Sequence, residues 1–199
     1  MPDVSVKPLA PGAVIGILGG GQLGRMTGLA AACLGYRVHI YCPDPFSPAK
    51  QVSDVSTTAS YDDLARLTEF AQSVDVVTFE FENIPSIAVS TVNAITPVRP
   101  NSRALEISQD RILEKNFISS LGIATTPYWP VRDAVELERV LNSLNKSGVL
   151  KSARLGYDGK NQTRVNSGDR ASVVWDEMGG ETGIVEERVS FDREISVIV

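Results

Sequence analysis

Histidine and cysteine are nearly missing from this sequence: His39 is the only imidazole, and Cys33 and Cys42 are the only thiols, in 199 residues. A single histidine inside a strand-like run excludes a histidine-rich metal centre and argues against a histidine-dependent hydrolase. Two lone thiols without C-x-x-C spacing suit a reduced, cytoplasmic protein better than a disulfide framework. An excess of positive charge is lacking too. Nineteen Lys and Arg against 24 Asp and Glu leave a net charge of −5, which speaks against nucleic acid or an anionic membrane as partner, since both reward basic surfaces. No apolar run approaches the roughly 18 residues of a membrane span. The opening "MPDVSVKPLAPG" has no apolar stretch with a cleavage site, so it does not read as a secretory signal. Internal repeats and low-complexity tracts are absent as well. What is present is an ordinary globular composition, 43% apolar and 22% charged, long enough for one large or two small cores.

The organisation follows from the apolar pattern. "AVIGILG" (13–19) reads as a strand buried on both faces, and "QLGRMTGLAAACLGY" (22–36) as a helix with a small-residue face. "RVHIYC" (37–42) is a second strand, "YDDLARLTEFAQS" (61–73) a second helix and "VDVVTFEF" (74–81) a third strand. That alternation is the doubly wound α/β pattern, which gathers the strand ends, and any ligand, on one rim. Prolines 97 and 100 close this first domain. A helix capped by Asn101 or Ser102 is expected to run to about Leu121. Beyond Pro127 the sequence predicts a strand, a helix over 133–145, and strands at "GVLKSA", "QTRVN" and "GIVEERV". "REISVIV" reads as an alternating strand.

Three stretches carry chemistry. Gly19, Gly21 and Gly24 form a Gly-x-Gly-x-x-Gly, which suits a tight turn and close approach of backbone N–H groups to a phosphate. An NAD site also wants an acid at the tip of the second strand. Asp44 is near that distance but lies between Pro43 and Pro45, so a phosphate site of another kind and a ligand-free turn both stay open. "KSARLGYDGKNQ" (151–162) sets a lysine at the end of a strand before a Gly- and Lys-bearing hairpin. It suits a lid over a triphosphate, or else a plain exposed hairpin; it is not a P-loop. Glu80 and Glu82 share one face of a strand end, where they can grip ribose hydroxyls or an amine, or cap a turn. Glu186, Glu187 and Glu194 flank the last strands.

Taken together, "GGGQLGRM", "SPAKQVSD", "TFEFENIP", "QDRILEKNFISSLGI" and "GYDGKNQ" resemble, in order and spacing, the N5-carboxyaminoimidazole ribonucleotide synthetase family of the ATP-grasp superfamily. The resemblance begins at about residue 13. It implies a Rossmann-like pre-ATP-grasp domain over residues 1–102. Residues 103–199 would then form the linker helix and the small α+β lid subdomain of an ATP-grasp fold, truncated at the start of the large catalytic subdomain. The implied reaction is ATP-dependent carboxylation of 5-aminoimidazole ribonucleotide with bicarbonate, through carboxyphosphate, in purine biosynthesis. By motif, Arg111 and Lys151 would contact ATP phosphates, and Gly156, Tyr157, Asp158, Gly159, Lys160, Asn161 and Gln162 would form the lid. Glu186, Glu187, Arg188 and Val189 would face the adenine, and Glu194 the ATP ribose. Gly21, Gln22, Leu23, Glu80 and Arg154 would bind the aminoimidazole nucleotide, with its ribose 5-phosphate end at the glycine loop, while Tyr157, Asp158 and Lys160 act at the carboxylation centre. Arg111 follows Asp110 where many superfamily members have lysine, but arginine does the same phosphate work. The resemblance also implies Mg2+ with ligands expected beyond Val199 and none within the chain, a cytoplasmic location, and a homodimer at full length. Because the family continues well past such a strand, the sequence reads as a fragment, expected to fold in its first domain without turning over ATP. The rival readings are an NAD-binding Rossmann dehydrogenase and a non-catalytic nucleotide-binding module.

Overall fold

The structure, a computed structural model, describes residues 8–155 and 161–197. The chain divides into two compact units, the first ending at Glu106 and the second beginning at Ile107.

The first unit is a parallel sheet with helices on both faces. It runs β1 (Val14–Leu18), α1 (Gln22–Cys33), β2 (Arg37–Tyr41), a 3-10 turn (Pro48–Val52), β3 (Val55–Thr57), α2 (Leu64–Gln72), β4 (Val76–Phe79) and α3 (Ser86–Asn93). The strand order is β3-β2-β1-β4, every pair parallel. Continuous apolar strands fit because both faces are covered. Ile17, Val38 and Ile40 pack with Ala31 and Ala49 on one side, while Leu18, Tyr41 and Val77 pack with Leu67, Phe70, Val89 and Val92 on the other. Gly16 is needed in β1 because a Cβ there would lie 2.7 Å from the Phe70 ring. On the small-residue face of α1, a Cβ on Gly28 would stand 3.4 Å from Val52 of the 3-10 turn, an ordinary contact distance, so the "SPAKQVSD" stretch packs closely against this face. The expected helix over 22–36 stops at Cys33, and Gly35 (φ +82°) reverses the chain into β2. Because β1, β2 and β4 are parallel, the loops after Leu18, Tyr41 and Phe79 share one edge.

The second unit is an antiparallel sheet covered by helices. α4 (Ser102–Ser108) spans the division between the units, and Leu105 belongs to the first core. Then follow α5 (Arg111–Ser120), β5 (Tyr128–Val131), α6 (Ala134–Ser143), β6 (Gly148–Ser152), β7 (Gln162–Val165), α7 (Ala171–Glu177) and β8 (Gly183–Glu187), with strand order β5-β8-β6-β7. Leu137, Leu141 and Trp175 pack on Val131, Leu150, Val165 and Val185. Burial alternates along β6: Gly148, Leu150 and Ser152 are buried, and Val149 and Lys151 are half-buried. The period of two puts Val149 and Lys151 together on the face away from Leu150. Pro130 is tolerated because β5 is an edge strand.

Two expectations change. The single helix from Ser102 to about Leu121 is two helices, because the Asp110 carboxylate accepts from the amides of Ile112 (2.9 Å) and Leu113 (3.3 Å) and so starts a new one. "REISVIV" forms no strand over its described residues 193–197. Ile195 and Val197 are exposed there, and no described strand pairs with them.

Candidate functional site

The glycine loop of the first unit already holds an anion. Gly19, at φ +113°, turns the chain out of β1, and α1 begins at Gln22 with no side-chain cap. The first turn of a helix leaves N–H groups without intrahelical partners and favours negative charge. Here that charge is Glu80, the residue after β4. Its Oε1 accepts from the Gly21 amide, and its Oε2 accepts from the Gly24 amide at 2.6 Å. The Glu80 amide donates to Leu18 O at 3.1 Å, so the β1–β4 pairing sets where the side chain begins. Two of the amides that a phosphate reading assigns to a ligand are therefore bonded to the protein's own carboxylate.

The acid at the tip of β2 is also engaged. Asp44 Oδ1 accepts from the Phe46 amide at 2.8 Å, and Lys50 Nζ donates to Asp44 O (2.7 Å), Cys42 O (3.0 Å) and Thr58 Oγ1 (2.8 Å). All three ammonium protons of Lys50 pin this Pro-flanked loop, and Asp44 serves a turn rather than a ribose. Neither half of an NAD site is open.

The tyrosines near this edge stay neutral. Burial, and then the nearby Asp63, push the Tyr41 phenol up to about 12, and its hydroxyl donates to Ser60 O at 2.6 Å. Burial first, then Cys42, Glu80 and Tyr41, raise Tyr61 further. His39 is a core residue. Its ring sits edge-on to Phe70 at 4.9 Å, Nδ1 is 2.9 Å from Ser73 Oγ, Nε2 is 2.8 Å from Thr57 Oγ1, and burial lowers its pKa.

The second unit carries a cleft of about 660 Å³ on the Lys151 face of its sheet. Lys151 and Gln162 face each other across β6 and β7, and Glu186 to Val189 follow along and beyond β8. Three cations, Lys151, Arg164 and Arg188, line it against two carboxylates, Glu186 and Glu187. Glu186 holds a lysine on each oxygen: Lys151 Nζ lies 2.9 Å from Oε2 and Lys115 Nζ lies 3.4 Å from Oε1. Lys115 also stands 5.8 Å from the centre of the Tyr128 ring, whose hydroxyl donates to Asn116 Oδ1. Glu187 is 3.6 Å from Lys146 Nζ, and its carbonyl accepts from Thr126 Oγ1. A net positive cleft in an acidic chain suits an anion.

Of the residues expected at an ATP site, Lys151, Gln162, Glu186, Glu187, Arg188 and Val189 line this one cleft. Arg111 sits beside it through the chain: its guanidinium donates to Ser152 O and its amide to Ala153 O, both at 2.9 Å, just past Lys151. Asn161, at φ +54°, accepts from the Ser152 amide at 3.0 Å. Arg154 Nε contacts the Asp110 cap at 3.3 Å. Glu194 is exposed and does not line the cleft. Gln22 and Leu23 open α1 next to the Glu80 cradle. Gly156, Tyr157, Asp158, Gly159 and Lys160 lie outside the described residues. Lys115, Thr126, Arg164 and Phe191 went unmarked in the sequence. The signal for Lys115 was there, since it follows Arg111 by four residues and so shares its face of α5. Among the described residues no group of three or more His, Cys, Asp or Glu could hold a metal ion. No helix among them is long and apolar enough to cross a membrane.

Comparison with known proteins identifies the family. The ribonucleotide synthetase preATP-grasp domain family matches residues 13–109, and the ATP-grasp domain family matches residues 116–199. An N5-carboxyaminoimidazole ribonucleotide synthase of Brucella melitensis is 45% identical over 96% of this chain and 53% of its own length. Among solved structures, an ADP complex of N5-carboxyaminoimidazole ribonucleotide synthetase aligns with a TM-score of 0.86 at 36% identity, over 92% of this chain and 49% of that one. The Aspergillus clavatus synthase, in complex with ADP and 5-aminoimidazole ribonucleotide, aligns at 0.78 and 27% identity, over 92% and 48%. This chain thus spans about half the length of the relatives it matches. It belongs to the ATP-grasp superfamily and, within it, to the family of N5-carboxyaminoimidazole ribonucleotide synthetases.

Proposed function

We propose that this chain supplies the aminoimidazole-nucleotide side and part of the ATP side of an N5-carboxyaminoimidazole ribonucleotide synthetase. The observation that carries the reading is the cleft itself. It is net positive in a chain of net charge −5, with Lys151 at its floor held by a carboxylate that a second lysine also holds. The nucleotide complexes of the relatives support the same assignment.

In this reading a bicarbonate oxygen attacks the γ-phosphorus of ATP and ADP leaves, which turns a poor hydroxide leaving group into a phosphate. The exocyclic amine of 5-aminoimidazole ribonucleotide then attacks the carboxyl carbon of carboxyphosphate, phosphate departs, and the nitrogen loses a proton. Positioning and charge neutralisation do most of such work. Lys151 and Arg111 neutralise the nucleotide phosphates, Glu186 to Val189 face the adenine, and Glu194 meets the ribose. The family resemblance assigns Gly156 to Gln162 to keeping water from carboxyphosphate, and Tyr157, Asp158 and Lys160 to the carboxylation chemistry. Gly21, Gln22, Leu23 and Glu80 form the sugar side of the aminoimidazole nucleotide site, together with Arg154. The reaction takes Mg2+ with the ATP. The assembled enzyme is a cytoplasmic homodimer.

The test is phosphate release from ATP by a protein of the relatives' length carrying this chain. Release that requires both bicarbonate and 5-aminoimidazole ribonucleotide is expected. Saturable binding of NAD, with none of ATP or the aminoimidazole nucleotide, would overturn the reading in favour of a dehydrogenase.

A further inference from the structure

The Gly-x-Gly-x-x-Gly of α1 poses a question that the ligase reading leaves unanswered: which anion are its glycines for? A Cβ built on Gly19 would run into the Glu80 side chain. On Gly21 it would lie 2.8 Å from Oε1, and on Gly24 it would lie 3.0 Å from Oε2. Three glycines thus leave room for one carboxylate. Backbone conformation demands glycine only at Gly19, whose φ is +113°. Gly21 has φ −77° and ψ −162°, extended backbone open to any residue, and Gly24 lies inside the helix. At Gly21 the three atoms nearest a Cβ all belong to Glu80.

We infer that this loop is a carboxylate cradle built for Glu80, which excludes ligand phosphates from the Gly21 and Gly24 amides. The fingerprint that elsewhere receives a pyrophosphate is here satisfied from within the chain. A phosphate brought to the same amides would have to displace a carboxylate held by two of them, or stand beside it at like-charge repulsion. The cradle therefore discriminates against dinucleotides before any contact with a base or ribose. Any phosphate of a bound substrate is held by other residues. This inference concerns the first unit alone and holds whether or not the ligase reading does.

A double-mutant cycle in the whole chain, read by thermal melting, tests it. Gly21→Ala is expected to lower the melting temperature by several degrees with Glu80 present and to change it by less than about one degree in Glu80→Ala. Equal losses in both backgrounds would overturn the cradle. Amide NMR of the unaltered chain gives a readout that needs no variant to fold. The Gly21 and Gly24 protons should exchange slowly and stay unmoved by millimolar pyrophosphate. Exchange at free-amide rates, or shifts of these two resonances on adding pyrophosphate, would show that the loop receives ligand phosphate after all. Wherever pyrophosphate shifts other residues, such as those around Lys151, the cradle stands.

Discussion

Both units balance a local charge from inside the chain, but with different materials. In the first, backbone N–H groups of α1 meet the Glu80 carboxylate; in the second, two lysine side chains meet Glu186. Backbone donors fixed by a strand–turn–helix cannot re-aim, so the Glu80 contact specifies one conformation and one anion. Lysine is a point charge on a flexible arm and can be redirected. The Lys151–Glu186 pair is mostly buried, with 25% of the lysine and 12% of the glutamate side chain exposed, so desolvation offsets much of its attraction. A phosphate competes with that easily. Leaving a buried carboxylate with no cation costs roughly 3–5 kcal/mol. Lys115 avoids that cost, since it stays on Oε1 when Lys151 leaves Oε2. The first unit is set rigidly; the second is set to exchange.

The sharpest way to break this contrast is Lys151→Ala. If Lys151 exchanges Glu186 for phosphate, its loss removes a charge-assisted contact of roughly 1.5–3 kcal/mol, or about one to two decades in ATP or ADP affinity. Binding of the aminoimidazole nucleotide should barely change. Calorimetric titration of both ligands decides it, and unchanged nucleotide affinity would return Lys151 to an ordinary ion pair.

Lys115→Gln should give a smaller loss of the same kind. With one cation gone, Glu186 holds Lys151 more firmly, and nucleotide affinity should fall about twofold to fivefold, the worth of an ion pair of roughly 0.5–1 kcal/mol. Lys115→Arg should restore it. In a protein of the relatives' length carrying this chain, the effect should appear in KM for ATP with kcat little altered, because Lys115 acts through Glu186 rather than on the phosphates. A uniform loss of both, with no rescue by arginine, would mean that Lys115 only holds the fold.

How much of this was legible in the sequence differs between the units. β1, β2 and β4 announce themselves as apolar runs, since a strand buried on both faces has no polar alternation to confuse. β3 does not, because three residues, Val55–Thr57, are too few for any period to register. The break at Asp110 was readable as a cap, yet the surrounding helical pattern hid it. In the glycine loop, the three glycines were visible and so was Glu80. Their meeting was not, because 56 and 59 residues separate the amides from the carboxylate and only the β1–β4 pairing closes that distance. The cleft was more legible, since Lys151, Gln162 and Glu186 lie on adjacent strands. The tie of Lys115 to Glu186 again joins positions remote in sequence.

The smallest expected effect separates the two units by pH. His39 is the chain's only histidine and lies in the first core. Burial holds its folded pKa below the ordinary 6.5. Above pH 6.5 the ring is neutral in both the folded and the unfolded chain, and stability is at its full value. Below 6.5 the unfolded chain takes up a proton that the folded ring, fixed between Ser73 and Thr57, does not. Stability therefore falls as pH drops towards the folded pKa, by at most about 1.4 kcal/mol per pH unit for one proton, and levels off below it. The second unit has no histidine, so its melting should lack this slope over the same window. Melting followed between pH 7 and 5, with residue-resolved exchange to assign each transition, should show the slope in the first unit alone. His39→Gln should flatten it. A slope that persists in that variant, or one shared by the second unit, would place the titrating group elsewhere.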